Sequence, residues 1–154
     1  MNLPSPTKVD RVTIVGTGVI GAGWTAHFLR QGLDVAAYDP APGAEARLRQ
    51  KIAELWPTMA QLGLAEGASP ERLTFAPDME TAVADTQFVQ ENVPEREALK
   101  IQVIQEIDAA AAPNVVIASS TSGILMSTMQ QGCRHPERCI VAHPFVPPYL
   151  VPLV

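Results

Sequence analysis

Six residues constrain this chain more than any others. Gly16-Thr17-Gly18-Val19-Ile20-Gly21 is a G-x-G-x-x-G, and its meaning lies in what flanks it. Before it, Arg11 to Val15 is a short β-branched run that reads as a buried strand. After it, Val19 to Gln31 reads as a helix, with Gly32 where a C-terminal cap is wanted. A second short strand, Asp34 to Tyr38, closes on Asp39. Strand, glycine turn, helix, strand and an acid about 20 residues on is the context of a dinucleotide fingerprint. Gly16 permits the tight turn, Gly18 lets the backbone approach a pyrophosphate, and Gly21 lets helix and sheet pack closely. The turn as a whole, Thr17, Val19 and Ile20 included, is the expected phosphate cradle, because a helix N-terminus offers free N–H groups and a positive dipole. Asp39 is expected to accept hydrogen bonds from ribose hydroxyls and to repel a 2′-phosphate. No arginine follows it until Arg47. The expected cofactor is therefore NAD, not NADP.

The rest of the chain continues the alternation. Ala44 to Leu62 has helical spacing, and Pro57 is expected to kink it or end it early. Gly63 to Pro70 reads as a loop. Strands are expected at Arg72 to Ala76, Gln87 to Glu91, Val115 to Ala118 and Cys139 to Ala142. Glu95 to Ala111 reads as a helix, with Pro94, Glu95 and Glu97 suited to its start. This pattern predicts an α/β, Rossmann-type, mainly parallel sheet with helices on both faces. From His143 on, four prolines predict a stiff, extended tail. The chain stops there on an apolar run, which suggests a truncated chain.

Composition narrows the function. At 154 residues the chain is about one domain long, and 47% hydrophobic against 18% charged residues is not a disordered tail. The net charge of −5, with no basic stripe, argues against nucleic acid and against a membrane surface. Val12 to Leu29 carries no acid or base except His27, but its four glycines suit a strand, turn and buried helix better than a membrane span. Met1 to Asp10 holds no signal-peptide core. Two cysteines, Cys133 and Cys139, make neither a disulfide framework nor a zinc site, so no metal is expected and a cytoplasmic setting is.

Three further stretches follow expected strands: Gln90-Glu91-Asn92-Val93-Pro94-Glu95-Arg96, Ala118-Ser119-Ser120-Thr121-Ser122-Gly123, and His143-Pro144-Phe145 with Pro147-Pro148. Together with Gly16 to Trp24 they resemble the 3-hydroxyacyl-CoA dehydrogenase superfamily. Asp39 to Arg47 and Arg134 to Cys139 resemble its carnitine-oxidising branch. The resemblance implies NAD-dependent oxidation of the secondary alcohol of a small 3-hydroxy acid, with His143 as general base and Ser122 on the substrate oxygen. It implies cofactor contacts at Glu91 and Arg96. It also implies a homodimer through a helical C-terminal domain that this chain lacks. Gulonate and 3-hydroxyacyl-CoA thioesters remain alternative substrates. Between Ala41 and Ala76 the cations Arg47, Arg49, Lys51 and Arg72 are balanced by Glu45, Glu54, Glu66 and Glu71, which favours a small acid over CoA. Tyr149, near His143 in sequence, is a candidate aromatic wall for a quaternary ammonium.

The sequence departs from the family at two places. The glutamate that orients the family's histidine would follow Val154. Val146 stands where the family has asparagine. Both keep open a reading of another class, an NAD-binding fragment or module without catalysis.

Overall fold

A computed structural model describes residues 9–154. For residues 1–8 the signal-peptide reading lies outside the described residues. The strands are β1 (Arg11–Val15), β2 (Asp34–Tyr38), β3 (Leu73–Phe75), β4 (Phe88–Glu91), β5 (Val116–Ser119) and β6 (Cys139–Val141). The helices are α1 (Val19–Arg30), α2 (Ala44–Gln61), α3 (Met79–Val83), α4 (Glu97–Ala110) and α5 (Met126–Met129). The six strands form one sheet in the order β3-β2-β1-β4-β5-β6, and every pairing is parallel. The order reverses at β1, which pairs with β2 on one side and β4 on the other. That switch point is where an open α/β sheet leaves a crevice outside the carboxyl ends of its strands.

Both faces of the sheet are covered. Val12, Ile14, Val35, Ala37 and Leu73 pack under α1 and α2 with Leu29, Leu48, Ile52 and Met59. On the opposite face Val15, Val89 and Ile117 pack against Val103, Ile104 and Ile107 of α4 and Met129 of α5. The central strands are thus buried on two sides, which is why they read as continuous apolar runs. Thr13 is the buried polar residue of β1, and its hydroxyl donates to the carbonyl of Ala82 at 2.7 Å.

Four details differ from expectation. Helix α2 runs through Pro57 to Gln61. Proline removes a donor to the carbonyl one turn back, at Ala53, and Ala53 and Pro57 both lie on the exposed side of the helix. Helix α4 begins at Glu97, with Arg96 as its extended N-cap. Glu95 stays outside the helix because its carboxylate bonds another loop. Helices α3 and α5 were not expected from sequence. The proline-rich tail is not extended: Leu150 and Val151 donate to the carbonyl of Pro147 at 3.1 Å, and Phe145 donates to Leu153 at 3.0 Å. The tail doubles back and docks on α1, where a Cβ added at Gly23 would stand 2.7 Å from Pro148. Among the described residues no helix is long and apolar enough to cross a membrane.

Candidate functional site

Gly16, Asp39, Glu91, Ser122 and His143 all sit at the carboxyl ends of β1, β2, β4, β5 and β6. The sheet is parallel, so these five positions share one edge.

The glycine turn is built from close approaches. Gly16 has φ +85° and lies against the β4–α4 connection, where an added Cβ would meet the Asn92 carbonyl carbon at 2.8 Å. An added Cβ at Gly21 would stand 2.0 Å from the Gly16 carbonyl oxygen. Gly18 differs: nothing lies within 4 Å of its missing Cβ. That space is open on the outside of the turn, as a phosphate cradle requires. Gly18 is also the N-cap of α1 and brings no side-chain acceptor, and the first turn holds no acid. The helix amides and the dipole are therefore left to a ligand.

A crevice of about 670 Å³ opens beside this turn. Gly16, Gly18, Tyr38, Asp39, Pro94 and Arg96 are among its walls. Asp39 is half-buried, and its Oδ2 accepts from the amide and hydroxyl of Thr17 at 2.8 and 3.0 Å. A smaller recess of about 300 Å³ adjoins it, and the two share the wall Asn92-Val93-Pro94. Ile20, Ser122, His143 and Val146 line the recess, together with Glu95 and Lys100. Ser122 and His143, 21 residues apart in sequence, thus face one small space next to the larger crevice. Val19 is 77% exposed at the outer face of the turn.

Glu91 is at the same edge but behind the wall. It is fully buried, and its Oε1 accepts from the Val93 amide at 2.6 Å and from Lys100 Nζ at 2.8 Å. Oε2 accepts from Lys100 at 3.0 Å and from the Ser119 hydroxyl. These bonds occupy its carboxylate within the protein, so Glu91 reaches the recess only through Lys100. Tyr149 packs on the α1 side of the core and does not line the recess. His27 lies on α1 against Trp24 and Phe28, and is not a ligand position.

Sequence reasoning missed Lys100 and the role of Glu95. Lys100 sits nine residues past Glu91, a spacing with no helical or strand meaning, and is 1% exposed. A lysine on a helix reads as solvated, and only its burial shows otherwise. A second link was also missed: Gln90 Nε2 donates to Ser120 Oγ at 2.8 Å, and Ser120 donates to Asn92 Oδ1 at 2.6 Å. It stiffens the shared wall.

A family model described as 3-hydroxyacyl-CoA dehydrogenase, NAD binding domain, matches residues 11–154. The chain belongs to this family. Among curated proteins it is 56% identical over 154 residues to L-carnitine dehydrogenase of Bacillus cereus, covering 100% of this chain and 47% of that protein. It is 52% identical over 148 residues to L-carnitine dehydrogenase of Pseudomonas aeruginosa, covering 96% of this chain and 46% of that protein. The chain spans about half the length of the curated relatives it matches. Among solved structures, an NAD+-dependent 5-formyl-3-hydroxy-2-methylpyridine 4-carboxylic acid 5-dehydrogenase superposes with a TM-score of 0.84 at 32% identity, over 94% of this chain and 47% of that one. The 3-hydroxybutyryl-CoA dehydrogenase of Escherichia coli superposes with a TM-score of 0.81 at 25% identity, over 91% of this chain and 30% of that one. NAD is the cofactor of this domain family, and the open face of Gly18, the uncapped start of α1 and Asp39 at the crevice fit it.

Proposed function

We propose that the protein of which residues 1–154 are the NAD-binding domain oxidises the secondary alcohol of a small 3-hydroxy acid, L-carnitine to 3-dehydrocarnitine. The observation that carries this is the shared wall: Ser122 and His143 line a recess that adjoins the nucleotide crevice, the two having Asn92-Val93-Pro94 in common. A bound NAD would supply the hydride acceptor for oxidation of the carbinol carbon. His143 accepts the hydroxyl proton as general base, the role a histidine most often takes in such a site. Ser122 holds the substrate oxygen. Asp39 and Arg96 line the crevice and hold the nucleotide, and the amides of the Gly16–Gly21 turn take the pyrophosphate.

Carnitine is preferred to a CoA thioester on charge. Between Ala41 and Ala76 each cation is already engaged. Arg49 pairs with Glu45 at 2.9 Å, Lys51 with Glu54 at 3.1 Å and Arg72 with Asp34 at 3.1 Å, while Arg47 donates to the Pro42 carbonyl at 2.7 Å. Such a surface offers little to the phosphates of CoA. The names of the curated relatives support the same choice. A homodimer through a C-terminal helical domain and a cytoplasmic setting complete the reading.

One observation favours a second reading, a binding module without catalysis. Val146, an apolar side chain at the position where the resemblance leads one to expect asparagine, lines the recess. The test is NADH formation by the full-length protein with L-carnitine, L-gulonate and 3-hydroxybutyryl-CoA. Turnover of L-carnitine that falls by roughly 100-fold or more in His143→Gln, with NADH affinity retained, supports the first reading. NADH binding without turnover of any of the three supports the second.

A further inference from the structure

The loop that carries Ser122 is held by one side chain from another element. Glu95 lies in the connection between β4 and α4, outside the helix. Its Oε1 accepts from the Thr121 hydroxyl at 2.6 Å, the Ser122 amide at 3.0 Å and the Gly123 amide at 3.3 Å. The Ser122 hydroxyl itself lies 3.5 Å from the same oxygen. Thr121 Oγ1 in turn accepts from the Ile124 amide at 3.1 Å, so the turn is fixed from Thr121 to Ile124. The other oxygen of Glu95 is 3.6 Å from Lys100 Nζ, and Lys100 is clamped by buried Glu91 at 2.8 Å. Glu95 and Lys100 both line the recess that contains Ser122 and His143.

We infer that Glu95 is a positioning residue of this site: its carboxylate, steadied by the Lys100–Glu91 pair, sets where Ser122 stands relative to the substrate oxygen. The inference rests on the carnitine reading only for the identity of that substrate. Physical chemistry supports a carboxylate in this role. One oxygen accepting several N–H and O–H donors on successive residues fixes a loop backbone more firmly than a neutral acceptor does, because charge-assisted bonds are roughly twice as strong. Burial works to raise the Glu95 carboxyl, but the bonds from Thr121, Ser122 and Gly123 and the Lys100 charge outweigh it and hold it below its ordinary value. The group is therefore ionised at neutral pH and available as acceptor. Displacement of a reacting group by about 1 Å costs on the order of 100-fold in rate, so a freed Ser122 is expected to show in kcat.

The test uses the full-length protein and the variants Glu95→Ala and Glu95→Gln, each checked for folding by thermal melt. For the wild type, the amide proton resonances of Ser122 and Gly123 are followed by NMR as Glu95 is titrated with acid. They are expected to shift together below the ordinary glutamate range, and the shift is expected to vanish in Glu95→Gln. With L-carnitine, Glu95→Ala is expected to lose about 10- to 100-fold in kcat while NADH affinity changes by less than about twofold. Glu95→Gln, which keeps an acceptor oxygen, is expected to recover part of the loss. Amide resonances that ignore the titration, or a Glu95→Ala kcat within about twofold of wild type, overturn the inference, as does a kcat loss matched by an equal loss of NADH affinity. A wild type that leaves L-carnitine untouched refutes the substrate reading instead, and the amide titration then decides this one.

Discussion

Asp39 and Thr17 are bonded twice: the Thr17 amide and hydroxyl both donate to Oδ2 of Asp39, at 2.8 and 3.0 Å. Oδ1 accepts from the Ala41 amide at 2.9 Å. The acid at the end of β2 therefore holds the glycine turn at the end of β1 in place without a ligand. It is preorganised, and of a carboxylate's roughly four acceptor sites one, on Oδ1, remains beyond these three bonds for a ribose hydroxyl. One residue thus links the shape of the turn to the proposed choice of nucleotide.

Asp39→Asn keeps an oxygen for Thr17 and removes the charge. A hydrogen bond to a charged group contributes about 1.5–3 kcal/mol, so NADH affinity is expected to fall at least about tenfold. NADPH is expected to gain relative to NADH, because the repulsion of its 2′-phosphate goes with the charge. Fluorescence titration of both nucleotides measures this. An unchanged preference would show that Asp39 does not read the ribose.

The two glycines that follow are expected to separate binding from folding. A Cβ at Gly18 meets nothing, whereas a Cβ at Gly21 stands 2.0 Å from the Gly16 carbonyl oxygen. Gly18→Ala is therefore expected to melt within a few degrees of wild type and to lose NADH affinity, because the methyl occupies the phosphate's approach. Gly21→Ala is expected to melt well below wild type, since α1 must move off the sheet. Equal melting temperatures for the two variants would contradict this division.

The contrast between these glycines shows what the sequence disclosed. Strands β1 and β2 were legible to the residue, because each β-branched or apolar run stops on a residue with a turn preference, Gly16 or Asp39-Pro40. The long helices were legible through their period. Helices α3 and α5 were not, being five and four residues long, too short for a period to appear. The sequence also placed Ser122 and His143 after strands of a parallel sheet, which is enough to put them on one edge. It gave no sign of what fixes them. Glu95 reaches Ser122 across 27 positions, and that contact exists only because β4 and β5 are neighbours. Pro57 does not end α2 early, because the donor it lacks falls on the exposed side of the helix.

The Lys100–Glu91 pair gives a stability prediction. Both side chains are at most 1% exposed. Lys100→Met leaves a buried carboxylate with only the Val93 amide and the Ser119 hydroxyl. Breaking such a pair from one side costs about 3–5 kcal/mol. Lys100→Met combined with Glu91→Gln removes the orphaned charge and is expected to recover a large part of that loss. Urea unfolding of the two variants checks it, and a double variant less stable than Lys100→Met would show that the charge is not the source of the cost.

His27 gives the chain an acid sensitivity above the carboxylate range. Burial first, then the positive charge of Arg30, push its pKa down from 6.5 to about 4. The ring packs edge-on against Trp24 and Phe28, with centroids 5.8 and 5.7 Å away, and its Nδ1 has no hydrogen-bond partner. The folded protein therefore holds His27 neutral where the unfolded chain protonates it. Between pH 6.5 and 4 the unfolded state binds more protons, so stability falls as pH falls through that window. Asp108 and Glu95, both held below their ordinary values, lose their contributions only at lower pH. A comparison at pH 7 and pH 5 isolates the histidine from them. The wild-type melting temperature is expected to drop over that interval, and His27→Gln, which cannot be protonated, is expected to flatten the drop. An equal drop in both proteins would place the acid sensitivity elsewhere.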